Sequence, residues 1–111
     1  MAEPTLLEVF GANATQTSTD LVIKKSDLVA VGFTPSANNT AESLIIAIVL
    51  KFKSVLTDAA RDTNIDQSVT VTDGFSPSIT TRNNAIYLRN TISVEVDKIL
   101  TGADVIDPDD Y

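Results

Sequence analysis

The seven residues Leu44-Ile45-Ile46-Ala47-Ile48-Val49-Leu50 lie inside a helical pattern, and a helix that carries them is apolar on nearly every side. The helix predicted over residues 39–61 therefore sets the terms for the rest of the chain. Asn39 is placed to cap it, with Glu42 three residues on as in a capping box. Leu44, Ile48, Phe52, Val55, Leu56 and Ala59 fall on one stripe, with Ile45, Val49 and Lys53 beside it. Lys51, Lys53, Asp58 and Arg61 make the second half amphipathic. One small sheet covers only one side of a helix, so the first half calls for a second covering layer. That layer is either the chain's own termini or another subunit. The apolar run is too short for a bilayer span, which needs about 20 residues.

Strand patterns flank the helix. Residues 15–24 alternate, with Thr15, Thr17, Thr19, Leu21 and Ile23 on one side. Residues 25–39 read as a loop holding one apolar stretch, Leu28 to Val31. A strand is predicted over 67–72, a turn at Asp73-Gly74, a short strand over 78–82 and a second turn at Asn83-Asn84. Residues 85–97 give the longest alternation, with Ile86, Leu88, Asn90, Ile92, Val94 and Val96 facing one way. Asn90 interrupts that apolar row, as a bulge or a buried polar contact would. The predicted fold is α+β, one domain spanning 1–111. One long helix packs on an antiparallel sheet of three to four strands, in the order β-α-β-β-β, with the last strand central. Residues 1–11 form an apolar N-terminal arm bearing Leu6, Leu7, Val9 and Phe10, and 103–111 an acidic C-terminal tail.

Composition narrows the function classes. The chain has 111 residues, Lys+Arg 8 against Asp+Glu 15, and a net charge of -7. An acidic chain with no dense basic patch lacks what phosphate neutralisation or an anionic membrane requires, so neither nucleic acid nor membrane is an expected partner. The absence of His and Cys removes thiolate zinc sites, cysteine nucleophiles and the Ser-His-Asp triad. The first residues lack the basic-then-apolar pattern of a secretory signal, so Asn13-Ala14-Thr15 and Asn38-Asn39-Thr40 are read as chance matches to the glycosylation pattern.

Residues 62–73 carry a spacing that invites a calcium reading. Asp62, Asn64, Asp66, Ser68, Thr70 and Asp73 stand where an EF-hand loop places its oxygen ligands. Gln67 stands where the loop turns on Gly, Asp73 replaces the long bidentate Glu, and Asp73-Gly74-Phe75-Ser76-Pro77 cannot open a second helix. The competing reading, a polar helix end running into a strand, is the expected one. Asp58 and Asp62 are one turn apart, as on any solvated helix face, and the Lys25-Ser26 and Lys53-Ser54 neighbours show no catalytic arrangement. The expectation is a non-enzymatic protein with no cofactor and no small-molecule substrate.

Three stretches resemble small virion structural proteins of tailed bacteriophages, of a type also seen in cyanophage sequences. They are Ala14-Thr15-Gln16-Thr17-Ser18-Thr19 leading into Leu21-Val22-Ile23, the helix opening Asn39-Thr40-Ala41-Glu42-Ser43-Leu44, and the closing Asp107-Pro108-Asp109-Asp110-Tyr111. The resemblance implies a many-copy structural protein located in the virion and made in the host cytoplasm. It carries over no catalytic residue. The expected role is a capsid decoration or cement protein that assembles with itself and with capsid proteins. The rival within the class is a neck, tail or baseplate component. From another class comes a small acidic adaptor or inhibitor of a basic host protein. The expected interface uses Leu6, Val9 and Phe10 of the arm and Ile45 and Val49 of the helix. Arg82, Arg89, Asp107, Asp109 and Asp110 would fix register by charge.

Overall fold

A computed structural model gives the fold and describes residues 2–99 and 106–111. It is α+β, and every strand pairing is antiparallel. The N-terminal arm is a short helix, α1 (Leu6–Phe10), opened by a capping box. The Thr5 hydroxyl accepts from the Glu8 N–H at 3.1 Å, and the Glu8 carboxylate accepts from the Thr5 N–H at 3.2 Å. The Phe10 ring then meets Phe52 edge-on, with centroids 5.3 Å apart and planes at 88°. The arm thus lies on the chain's own long helix.

That helix begins one residue later than the sequence predicts. Thr40 is the cap, its hydroxyl accepting from the Ser43 N–H at 3.1 Å. The Asn39 amide instead closes the preceding loop, accepting from the Ser36 N–H at 2.9 Å and donating to the Thr34 carbonyl at 3.0 Å. The helix runs as α2 (Ala41–Val55), breaks at Leu56-Thr57, and resumes as α3 (Asp58–Thr63). The break has a local cause. Thr57 caps α3 by accepting from the Ala60 N–H at 3.0 Å, which a residue inside a continuous helix does not do. Buried Gln67 then donates from Nε2 to the Thr57 carbonyl at 3.1 Å and the Val69 carbonyl at 3.0 Å. Gln67→Leu leaves both carbonyls without that partner. We expect a loss of about 2 kcal/mol, measured by urea unfolding.

The core is small. Leu28, Phe33 and Ala47 are buried together, with Val31, Leu44 and Ile48 packed around them. Leu28 comes from a 3-10 helix, Lys25–Val31, where the sequence predicts a loop. The apolar stretch Leu28 to Val31 is what gives that segment something to bury.

The strands depart from the expected sheet. Residues 15–24 form a two-residue ribbon, β1 (Thr15–Gln16) with β2 (Leu21–Val22), because the Thr17 hydroxyl turns the chain by accepting from the Asp20 N–H at 3.0 Å. The later strands are β3 (Val69–Asp73), β4 (Ser78–Arg82), β5 (Ala85–Arg89) and β6 (Ile92–Val96). They make two further ribbons, β3 with β6 and β4 with β5. The predicted sheet of three to four strands, its β-α-β-β-β order and its central last strand are therefore corrected. The alternation over 85–97 breaks at Asn90-Thr91, where the chain leaves β4 and takes β3 as its partner. Opposite the break stands the loop 74–77, and the Gly74 N–H donates to the Thr91 carbonyl at 2.8 Å. A Cβ on Gly74 would lie 2.8 Å from the Thr91 methyl, so the two backbones meet closely there.

The chain is open for its size. Its Cα radius of gyration is 16.4 Å, against about 13 Å for a compact chain of this length. It exposes 8294 Å², where a compact monomer of this mass exposes about 5,900 Å².

Candidate assembly surface

The β4–β5 hairpin is exposed at nine of its ten strand positions. Asn83 and Asn84 both take left-handed backbone, φ 53° and 62°, which is the geometry of a type I′ hairpin turn. Asn tolerates that region because its short amide bonds locally. The pairing Ile79 with Leu88 and Thr81 with Ile86 puts these four side chains on one face. Ile79, Ile86 and Leu88 are 75%, 78% and 66% exposed. Tyr87, Arg82 and Arg89 stand on the other face, where the Arg82 guanidinium lies 4.4 Å over the Tyr87 ring. A lone two-stranded ribbon is marginal in water, so a hairpin with one bare apolar face lacks its usual support.

A second bare apolar area lies on α2. Ile45 and Ile46 are exposed while Ala47 between the same turns is buried. Ile46 and Leu50 line an open groove of about 500 Å³ with Val31 and Phe33, and Thr40 and Glu42 stand at its end. The β3–β6 ribbon is covered more fully on β3 than on β6. Val71 and Val94 pair on one face, yet Val71 is buried beneath the helices and Val94 is exposed.

Arg61 of α3 fastens that ribbon. It reaches Glu95 at 3.2 Å, Asp97 at 3.6 Å and Asp62 at 3.9 Å, and donates to the buried Thr70 hydroxyl at 3.4 Å. The Glu95 hydrogen bond and the surrounding carboxylates raise the guanidinium pKa above its ordinary value, against desolvation. A raised basic pKa contributes stability below its ordinary value and loses it only as pH climbs past the folded one, so this contribution holds at every physiological pH.

The structure separates the residues the sequence groups together. Leu6, Val9 and Phe10 are half-buried, and Phe10 packs against Phe52, so part of the arm is covered by its own chain. Of the helix pair, Ile45 is exposed and Val49 half-buried. Glu95, on the neighbouring strand β6, is engaged by Arg61 and not by either hairpin arginine among the described residues. Arg89 makes no ion pair among the described residues. In the tail, Asp110 meets Lys98 at 3.1 Å, and Asp107 caps a 3-10 turn, Pro108–Asp110, by accepting from the Asp109 N–H at 3.0 Å. These contacts fold the end of the tail back on its own chain, and residues 103–105 of the predicted tail lie outside the described residues.

The calcium pattern is not gathered into a loop. Asp62 lies on α3, Asn64 ends it, and the Asn64 side chain bonds the Asp66 N–H and the Ala2 carbonyl. Asp73 lies at the far end of extended β3 and pairs with Lys53 at 2.6 Å. Among the described residues no three His, Cys, Asp or Glu side chains converge on a point, and no helix is long and apolar enough to cross a membrane.

Sequence reasoning missed Ile79, Ile46 and Phe75 as bare positions. Two signals were available for the hairpin: alternation on both sides of Asn83-Asn84, and a run from Gly74 to Val94 that contains no acid. Comparison with protein-family models, curated proteins and solved structures finds no match to this chain.

Proposed function

We propose that this chain is a non-enzymatic structural subunit of a phage particle, a capsid decoration or cement protein that assembles with itself and with capsid proteins. The observation that carries the assembly part is the imbalance of apolar side chains. Sixteen large ones are exposed among the described residues, while the buried apolar set is only Ala14, Leu28, Phe33, Ala47, Leu56 and Val71. Monomeric proteins expose isolated apolar residues routinely, but contiguous bare faces mark contact sites. The virion part is supported by the resemblance of the three stretches quoted above. The chain performs no reaction and takes no cofactor. Its work is burial, with charge selecting the partner. The outlying hairpin favours a second position in the particle, a neck, tail or baseplate component, because an arm of this kind reaches an adjacent subunit in a ring.

The test is mass spectrometry of purified particles from the source of this sequence, with immunogold labelling to locate the chain. Many copies per particle, labelled over the head, support the decoration reading. Label confined to the neck or tail transfers the chain to the second position. Its presence in infected cells and absence from purified particles contradicts both.

A further inference from the structure

We infer that the apolar face of the β4–β5 hairpin of one copy docks in the α2 groove of the next, giving a head-to-tail contact between copies of this chain. This inference rests on the self-assembly part of the proposed function and specifies which surfaces meet.

Three observations select a second copy as the occupant. The first is charge. Residues 74–94 carry Arg82 and Arg89 and no acid, in a chain whose net charge is -7. The hairpin therefore carries two positive charges and no negative one in a chain that is acidic as a whole; Glu42 stands at one end of the groove, and Lys51 follows Leu50 at the other. Another copy offers the hairpin an acidic field overall and one matching rim charge, Glu42. The arginines sit on the hairpin face away from the apolar one and reach around the ribbon edge by their long stems, as such side chains do.

The second observation is length. Five paired residues of ribbon span about 16 Å. The groove follows α2 from its cap at Thr40 to Leu50, a rise of about 15 Å. Ile79, Ile86 and Leu88 thus have Ile46, Leu50, Val31 and Phe33 to meet along their whole face.

The third is area. The chain exposes about 2,400 Å² more than a compact monomer of its mass. A standard interface takes about 800 Å² from each partner. A copy in a head-to-tail series uses two different faces, one as donor and one as acceptor, and the surplus accommodates both. Contacts of this heterologous kind close into rings or continue as filaments, unlike a two-fold contact that stops at a dimer.

Mixing two defective variants tests the geometry. I86E/L88E spoils the hairpin face, and I46E spoils the groove. All three positions are exposed, and circular dichroism checks that each variant keeps the fold. Wild type is expected to sediment as an oligomer. Each variant alone is expected to be monomeric, its association weakened by about 30-fold or more as for loss of a hot-spot contact. An equimolar mixture retains one intact hairpin and one intact groove per pair, so it should form dimers and nothing larger. If wild type assembles and the mixture stays monomeric, or either variant assembles like wild type, the hairpin-to-groove contact is wrong while self-assembly stands. If wild type is monomeric at every concentration, self-assembly itself fails.

Discussion

Leu28→Ala is expected to cost about 3 kcal/mol and to lower the melting temperature by about 12 °C or more. Leu28 is only 2% exposed and sits in the buried cluster with Phe33 and Ala47. Truncation removes the transfer free energy of the lost carbons and leaves a cavity. Proteins of ordinary stability hold about 5–15 kcal/mol in reserve. A chain with so few buried apolar residues stands near the bottom of that range, so the loss takes most of its margin. Ile65→Ala is the matched control: Ile65 is 90% exposed, and its truncation should change stability by less than about 0.5 kcal/mol. Thermal unfolding of the two variants at equal concentration reads the contrast.

Gly11→Ala should destabilise by a comparable amount, about 2–3 kcal/mol. Gly11 closes α1 at φ +120°, a conformation L side chains rarely adopt. A Cβ there would also fall 2.5 Å from the Asp27 Cβ. Asp27 has little room to give way. Its carboxylate accepts from the Asn13 N–H and the Asn13 side-chain amide, both at 2.9 Å. The variant therefore pushes the arm off the 3-10 helix that carries Leu28 into the core. Amide exchange should quicken across α1 and Lys25–Val31 together, while the β4–β5 hairpin is unaffected. Exchange that changes only next to Gly11 would show that the arm is not coupled to the core.

Local chemistry was readable in the sequence and pairing was not. Asn83-Asn84 announces its turn because both residues tolerate left-handed backbone, and the helix start is marked by small polar residues to within one position. The alternation over 85–97 states that a strand has two faces. It does not state which strand it pairs with, and the change of partner at Asn90-Thr91 leaves the period of two almost intact. The break at Leu56-Thr57 was hidden for a similar reason. The apolar stripe continues through it, and only the Thr57 cap and the buried Gln67 amide give it away. The oxygen spacing from Asp62 to Asp73 resembles a loop only when written along a line. Once Val69 to Asp73 is drawn out as a strand against β6, Asp73 is carried away from the others. The all-round apolar first half of the helix called for a second covering layer. In the structure Phe10 of α1 packs on Phe52 in the second half, and Ile45 and Ile46 of the first half are bare.

Self-assembly of this chain, as proposed above, has a direct readout in solution. Sedimentation equilibrium of the purified chain, from low micromolar to near-millimolar concentration, tests it most directly. The expected result is a mass that rises with concentration well above 11.8 kDa. A single species of 11.8 kDa across the whole range would contradict it.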